Sequence, residues 1–152
     1  MNKVTIKIKT LPHYEGLPLP SYATDQAACM DVYAAISEPV TLQSMERKII
    51  PAGFSIAIPE GYEVQVRSRS GNAIKSGLMI ANGIGTIDSD YRGEMGVIII
   101  NANKEPVVIE RGFKIAQISV QPIHQIQWDQ VAELDETARG TGGFGSTGTK
   151  AA

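Results

Sequence analysis

The strongest constraint in this sequence is a hydrophobic period of two, in runs too short and too often broken for long helices. Val4, Ile6 and Ile8 alternate with Thr5, Lys7 and Lys9, the pattern of a half-buried strand. Phe54–Ile58 repeats it up to Pro59-Glu60-Gly61, and Tyr62–Arg67 resumes it. Further β-rich runs are Leu78–Ala81, Met95–Asn101, Val107–Ile109 and Lys114–Val120. With 15 glycines and 8 prolines in 152 residues, the punctuation is dense enough to predict an all-β sandwich or barrel. One short helix is expected over Asn72–Ser76, opened by Ser70-Gly71 and closed by Gly77, and the acidic stretch Asp129–Glu136 has room for a helical turn.

The length suits one domain. From residue 137 onward periodicity is lost, and five glycines fall between Gly140 and Gly148. This divides the chain into a β-rich core, 1–136, and a mobile glycine-rich C-terminal tail, 137–152. A bare flexible terminus is one reading of that tail. The lone Arg139 and lone aromatic Phe144 favour another, a lid that closes when something arrives to bury the ring.

Residues 1–128 carry 12 basic and 12 acidic side chains, and the net −2 arises from four acids in 129–136 offset by Arg139 and Lys150. Such a balance provides no positive footprint for nucleic acid or an anionic membrane. The most continuous apolar run, Val97–Ile100, is far short of a membrane span. Cys29 is the only cysteine, so no intrachain disulfide or thiolate zinc cage can form, and a small buried side chain is expected there. The alternating N-terminus lacks the apolar core of a signal peptide. A cytoplasmic enzyme or binding protein fits these features.

Several motifs fail on inspection. Gly143 and Gly148 have P-loop spacing, but Thr149-Lys150 follows where Lys-Ser/Thr is required, and no helix can follow. The His-x-Glu and Pro-Cys-x-x-Cys signature of zinc deaminases is absent. His13 and His124 lack partners at metal-ligand spacing and read as surface or satisfied histidines.

Three segments can carry chemistry. Arg67-Ser68-Arg69-Ser70-Gly71 joins a strand to the short helix. It suits a phosphate, through helix-start amides, a hydroxyl and a guanidinium, or a simple N-cap with Ser70 capping Asn72 or Ala73. Asn82 to Glu94 reads as a hairpin whose glycines let backbone approach a ligand. Asn82 has the donor and acceptors to match a pyrimidine edge. If extended, the segment points Asp88 and Asp90 to one side, where a carboxylate can orient and deprotonate water. Asp-Ser-Asp-Tyr is equally good turn chemistry. Asp31 lies in an otherwise apolar strand and needs an arginine, a metal's water or backbone donors.

Taken in order, these segments resemble the five motifs of the trimeric dUTPases. Ala28-Cys-Met-Asp31-Val-Tyr-Ala is similar to the first, Arg69-Ser70-Gly71 to the second, and Gly85-Thr-Ile-Asp88-Ser-Asp-Tyr91-Arg-Gly-Glu94 to the third. Arg111-Gly-Phe-Lys-Ile-Ala-Gln117-Ile resembles the fourth and Arg139-Gly-Thr-Gly-Gly-Phe144-Gly-Ser-Thr-Gly148 the fifth. The resemblance covers nearly the whole chain. It departs at Cys29, where the family usually has glycine, and at Ser68, where it usually has proline.

The resemblance implies a distorted jelly-roll or β-clip-like barrel in a homotrimer with active sites shared between chains. It implies hydrolysis of dUTP to dUMP and pyrophosphate with Mg²⁺ on the triphosphate. That reaction keeps uracil out of DNA and supplies dUMP for thymidylate synthesis. Asp88 would hold the water attacking the α-phosphorus. Asn82 and backbone near Gly96 would read uracil, with Thr86 and Ile87 beside the sugar and Tyr91 excluding a 2′-hydroxyl. Arg69, Ser70, Gly71 and Gln117 would hold phosphates. Phe144 would stack on uracil, Arg139, Ser146 and Thr147 would grip the terminal phosphates, and Asp31 would act through waters on Mg²⁺ or as a structural pair. A dCTP deaminase-like relative and a nucleotide-binding regulatory protein are the rival readings.

Overall fold

The computed structural model describes residues 3–146 and 148. It contains eleven strands: β1 (Lys7–Thr10), β2 (Met30–Tyr33), β3 (Val40–Leu42), β4 (Arg47–Pro51), β5 (Phe54–Ala57), β6 (Tyr62–Arg67), β7 (Leu78–Ile80), β8 (Ile84–Ile87), β9 (Gly96–Asn101), β10 (Val107–Ile109) and β11 (Lys114–Pro122). One α-helix, α1 (Ser70–Ser76), follows β6, and a single 3-10 turn spans Pro12–Tyr14. The fold is all-β and jelly-roll-like. Among the described residues its strands form open antiparallel ladders of two, two, four and three strands, not a closed barrel.

The four-stranded sheet, in the order β2-β11-β6-β8, and the three-stranded sheet β4-β9-β7 carry the candidate site. Their alternation buries Val32, Ile50, Val64, Val66, Val97 and Ile99 together with Leu42, Phe54 and Ile109. Each large side chain of this kind contributes roughly 1.5–3 kcal/mol when fully buried. Tyr14, from the 3-10 turn, meets the Phe54 ring edge-on at 5.8 Å and 88°.

β1 begins later than the alternation suggests and is exposed along its length. Among the described residues it pairs only with β5, and the apolar side chains of Val4, Ile6 and Ile8 border an open groove. Asp129–Glu136 forms no helical turn and stays exposed.

The expected hairpin from Asn82 to Glu94 does not close. β8 pairs with β6, whereas β9, which follows the other arm, pairs with β4 and β7, so the two arms part into different sheets. Gly85 suits the first pairing: a Cβ there would lie 3.2 Å from Val66 Cβ, close enough that Val66 would have to give way by a few tenths of an ångström. The gap between the parted arms becomes a cleft.

Candidate active site

Two clefts contain most of the residues singled out in the sequence. The first, about 200 Å³, is lined by Thr86, Ile87, Asp88, Tyr91, Glu94, Met95 and Gly96. Asp88 follows the last residue of β8, and its carbonyl accepts from the Tyr91 N–H at 3.2 Å, so the segment is a turn and not an extended run. Turn and site are therefore compatible. Asp90 does not share this cleft; with Asp88, Arg92 and Glu60 it borders a second opening on the outer side. Asn82 lies at the turn after β7, with its amide nitrogen against Gly85 and outside the lining of the first cleft.

The other cleft, about 290 Å³, is lined by Ala23, Ala27, Ala28, Cys29, Asp31, Arg69, Ser70, Gly71 and Gln117. Register builds it: Gln117 on β11 stands opposite Asp31 on β2 and Arg67 on β6, and β6 then runs into Ser68 and α1. Arg69, not Ser70, is the N-cap, in extended conformation, and no side chain caps the helix. The Asn72 and Ala73 amides donate to the Arg69 carbonyl. The Ser70 cap expected from sequence is thus incorrect. Ser70 is the first helical residue, and its amide and that of Gly71 are among the helix-start donors without an intrahelical acceptor. At the other end Gly77 terminates the helix at φ +64°, a conformation costly for residues with a Cβ.

Asp31 is held as its burial demands. One carboxylate oxygen accepts from Arg69 Nε at 2.8 Å and the other from Lys114 Nζ at 2.8 Å. Burial alone would raise its pKa, but Lys114 and Arg69 together outweigh burial and hold the carboxyl below the usual carboxylate range. A depressed folded-state pKa stabilises the fold above the unfolded-state pKa and loses that contribution as pH falls through the folded value. Asp31→Asn should therefore destabilise the chain by roughly 1–3 kcal/mol at neutral pH. The gap from the parent should shrink once pH drops below about 4. Denaturant unfolding at both pH values checks this; a pH-independent gap would contradict the ion-pair origin.

Three residues that sequence reasoning left without roles organise this cleft. Ser68, at the family's usual proline position, accepts the Ile80 N–H on its hydroxyl at 2.9 Å, and its carbonyl accepts from Gln117 Nε2 at 2.8 Å. Lys114 is the second cation on Asp31, and its carbonyl accepts from buried Asn72 at 2.8 Å. A carboxylate in an apolar strand signalled a cationic partner; the tertiary register identifies both. Cys29 is only half-buried and borders the cleft, so the expectation of a buried thiol fails: its strand approach faces the cleft instead of the core. His13 is satisfied by Glu94 at 2.7 Å, and His124 is exposed.

The described residues of the tail line neither cleft. Turns recur through it, with Gly142 N–H to Arg139 O at 3.1 Å and Ser146 N–H to Gly143 O at 2.8 Å. Arg139 Nε donates to Gly142 O at 2.9 Å, and Phe144 is fully exposed. Thr147 lies outside the described residues. No helix among the described residues is long and apolar enough to cross a membrane.

The two clefts share no lining residue. β8 runs antiparallel to β6 with Ile84 opposite Arg67 and Ile87 opposite Val64. Asp88 and the Arg69–Gly71 segment are thus carried beyond opposite ends of that register. At about 3.3 Å per strand residue they stand more than ~10 Å apart along β6.

Comparison with known proteins agrees with this architecture. The dUTPase family model matches residues 15–148. The deoxyuridine 5'-triphosphate nucleotidohydrolase of Maricaulis maris (strain MCS10) is 52% identical over 152 residues, covering 99% of this chain and 100% of its own. That of Wolbachia pipientis subsp. Culex pipiens (strain wPip) is 52% identical over 149 residues, 97% of each chain. A mutant dUTPase of Staphylococcus bacteriophage 80alpha, solved with dUpNHpp, superposes with a TM-score of 0.81 at 29% identity, over 95% of this chain and 99% of that one. A mutant dUTPase from phage phi11 of S. aureus, described as coordinating a structural Mg(II) ion, gives 0.76 at 27% identity over 87% and 99%. The chain belongs to the dUTPase family. Its activity is that of a dUTP diphosphatase, a nucleotidohydrolase.

Proposed function

We propose that the enzyme hydrolyses Mg²⁺-bound dUTP to dUMP and pyrophosphate at sites assembled from several copies of the chain. The separation of the clefts carries this reading. An α-phosphorus cannot sit beside a water on Asp88 and beside Arg69, Ser70 and Gln117 of the same chain when these lie at opposite ends of β6. A second copy can supply the phosphate cleft, and a third the tail, as the resemblance to trimeric dUTPases implies. The exposure of Ile49, Ile126, Trp128 and Leu134, each at least 69% accessible in the single chain, supports such covering.

In this site Asn82 and the backbone at Met95-Gly96 read uracil, and the close backbone refuses a 5-methyl group. Thr86 and Ile87 flank the sugar, whose face Tyr91 covers. Arg69, Ser70, Gly71 and Gln117 hold phosphates. Asp88 takes a proton as the water oxygen bonds to the α-phosphorus; the bond from that phosphorus to the bridging oxygen breaks, and pyrophosphate leaves. Phe144 stacks on the base while Arg139, Ser146 and Thr147 hold the terminal phosphates.

Among the described residues no three His, Cys, Asp or Glu side chains cluster as a metal cage. The donor set therefore fits Mg²⁺ that arrives on the triphosphate as part of the substrate, where it offsets charge. Asp31 spends one lone pair per oxygen on Arg69 and Lys114, which leaves others to accept from a metal-bound water. This reaction removes dUTP before it can place uracil in DNA and supplies dUMP for thymidylate synthesis, a cytoplasmic role.

Pyrophosphate release from dUTP, dCTP, dTTP and UTP, measured in parallel with Mg²⁺, tests the proposal. Strong preference for dUTP supports it; ammonia release from dCTP would move the chain to the deaminase branch. Phe144→Trp, in a Trp128→Phe background, should change fluorescence on addition of dUpNHpp, because an exposed indole becomes stacked. An unchanged spectrum would remove the stacking role.

A further inference from the structure

The loop between β8 and β9 carries Tyr91, yet little fastens it. Among the described residues, every hydrogen bond of residues 89–94 to a distant part of the chain passes through one carboxylate, that of Glu94. Its Oε1 accepts from the Gly53 N–H at 2.9 Å and from His13 Nε2 at 2.7 Å. A carboxylate only accepts when ionised, so His13 must be the donor. The remaining bonds are local: Arg92 Nη1 donates to the Ser89 and Tyr91 carbonyls, and Tyr91 OH donates to the Glu94 carbonyl at 3.0 Å.

Glu94 is therefore tied at both ends. Its carboxylate holds the body, and its carbonyl holds the Tyr91 hydroxyl. Gly93 completes the seat, because a Cβ there would collide with the Tyr91 ring. One residue further on, Met95 exchanges backbone bonds with Ala52 and Phe54 at 2.8 and 2.9 Å, so residues 52–54 hold the Glu94 carboxylate and the backbone that follows it. His13 stands on the 3-10 turn beside Tyr14, whose side chain is buried. The donor thus rests on a fixed support.

We propose that His13 and Glu94 form a latch that positions the Tyr91 ring and thereby sets discrimination between deoxyribose and ribose. They are positioning residues, acting through Tyr91. This inference rests on the assignment of Tyr91 to the sugar face. Asp88 should be little affected, because β8 fixes the other end of the loop through its pairing with β6.

The test is steady-state pyrophosphate release from dUTP and UTP by the full-length parent, His13→Ala, His13→Gln, Glu94→Ala and Tyr91→Phe. Loss of one charge-assisted hydrogen bond at a partly exposed site corresponds to about a three- to tenfold effect. His13→Ala and Glu94→Ala should raise KM for dUTP by about that factor and lower the dUTP-to-UTP ratio of kcat/KM, with kcat within about twofold, and Tyr91→Phe, which keeps the ring but loses its tie to the Glu94 carbonyl, should lower the same ratio. His13→Gln, which retains an N–H donor, should recover most of the ratio. His13 is exposed, so its variants keep the test decisive if Glu94→Ala fails to fold. An unchanged ratio in His13→Ala, or a His13→Gln no better than alanine, overturns the latch while the parent still prefers dUTP. A parent that does not prefer dUTP overturns the Tyr91 assignment, and the latch with it.

Discussion

Asp88→Asn should stop pyrophosphate release while nucleotide binding stays close to that of the parent. Asparagine keeps the size and one carbonyl acceptor of the aspartate but cannot take a proton, so it leaves the cleft shape and removes the proposed base. Loss of a positioned general base typically costs about 10²–10⁴ in rate. Asp88 is exposed on the single chain and its side chain makes none of the described hydrogen bonds, so the substitution breaks no structural tie. Its backbone carbonyl, which accepts from Tyr91, is untouched. The comparison to make is kcat against the dissociation constant for dUpNHpp. If both deteriorate together, Asp88 contributes to binding and another group activates the water.

The strands were readable wherever alternation met clear punctuation. β6 runs from Tyr62 to Arg67, as the period of two indicates, and β10 from Val107 to Ile109, marked by its run of β-branched residues. Short strands such as Val40–Leu42 are too brief to show a period, and only their pairing with β10 defines them. β1 shows the opposite failure. Its alternation is real, but the described residues provide neither a second strand partner nor a cover for its apolar face. The missing information there concerns neighbours, which periodicity does not encode. The helix was legible from its glycine stop, whereas its start moved because Ser70 adopts helical geometry and Arg69 takes the cap position without a side-chain bond.

The candidate site was legible as residue types and not as geometry. A carboxylate among apolar neighbours required a cation, and Asp31 has two; choosing Arg69 and Lys114 needed the register of β2, β11 and the end of β6. Likewise Asn82–Glu94 had the composition of a ligand-binding hairpin. Nothing local could reveal that β8 would prefer β6 and leave the arms apart. That one pairing choice creates the first cleft and also moves Asp88 away from the phosphate segment. The separation of Asp88 from the Arg69–Gly71 segment follows from a strand register.

Truncation after Ala138 should leave a folded assembly with very little activity. Every member of the buried core precedes residue 117, and the described residues from 123 onward are exposed apart from half-covered Gly142, so among them the cut removes no core packing. What it removes is Arg139, Phe144, Ser146 and Thr147 together. A cationic side chain delivered late to a transferring phosphoryl group is worth about 10³–10⁵ in other enzymes, which sets the scale expected here. Far-UV circular dichroism and sedimentation should match the parent while kcat/KM for dUTP collapses. An unfolded or monomeric product would make the tail a structural element instead. Arg139→Ala and Phe144→Ala sharpen the distinction. If the tail closes as a unit, each single change should forfeit most of what truncation forfeits, because half a lid orders no better than none. If the two losses multiply independently to the truncation value, the residues act as separate contacts and closure is not concerted.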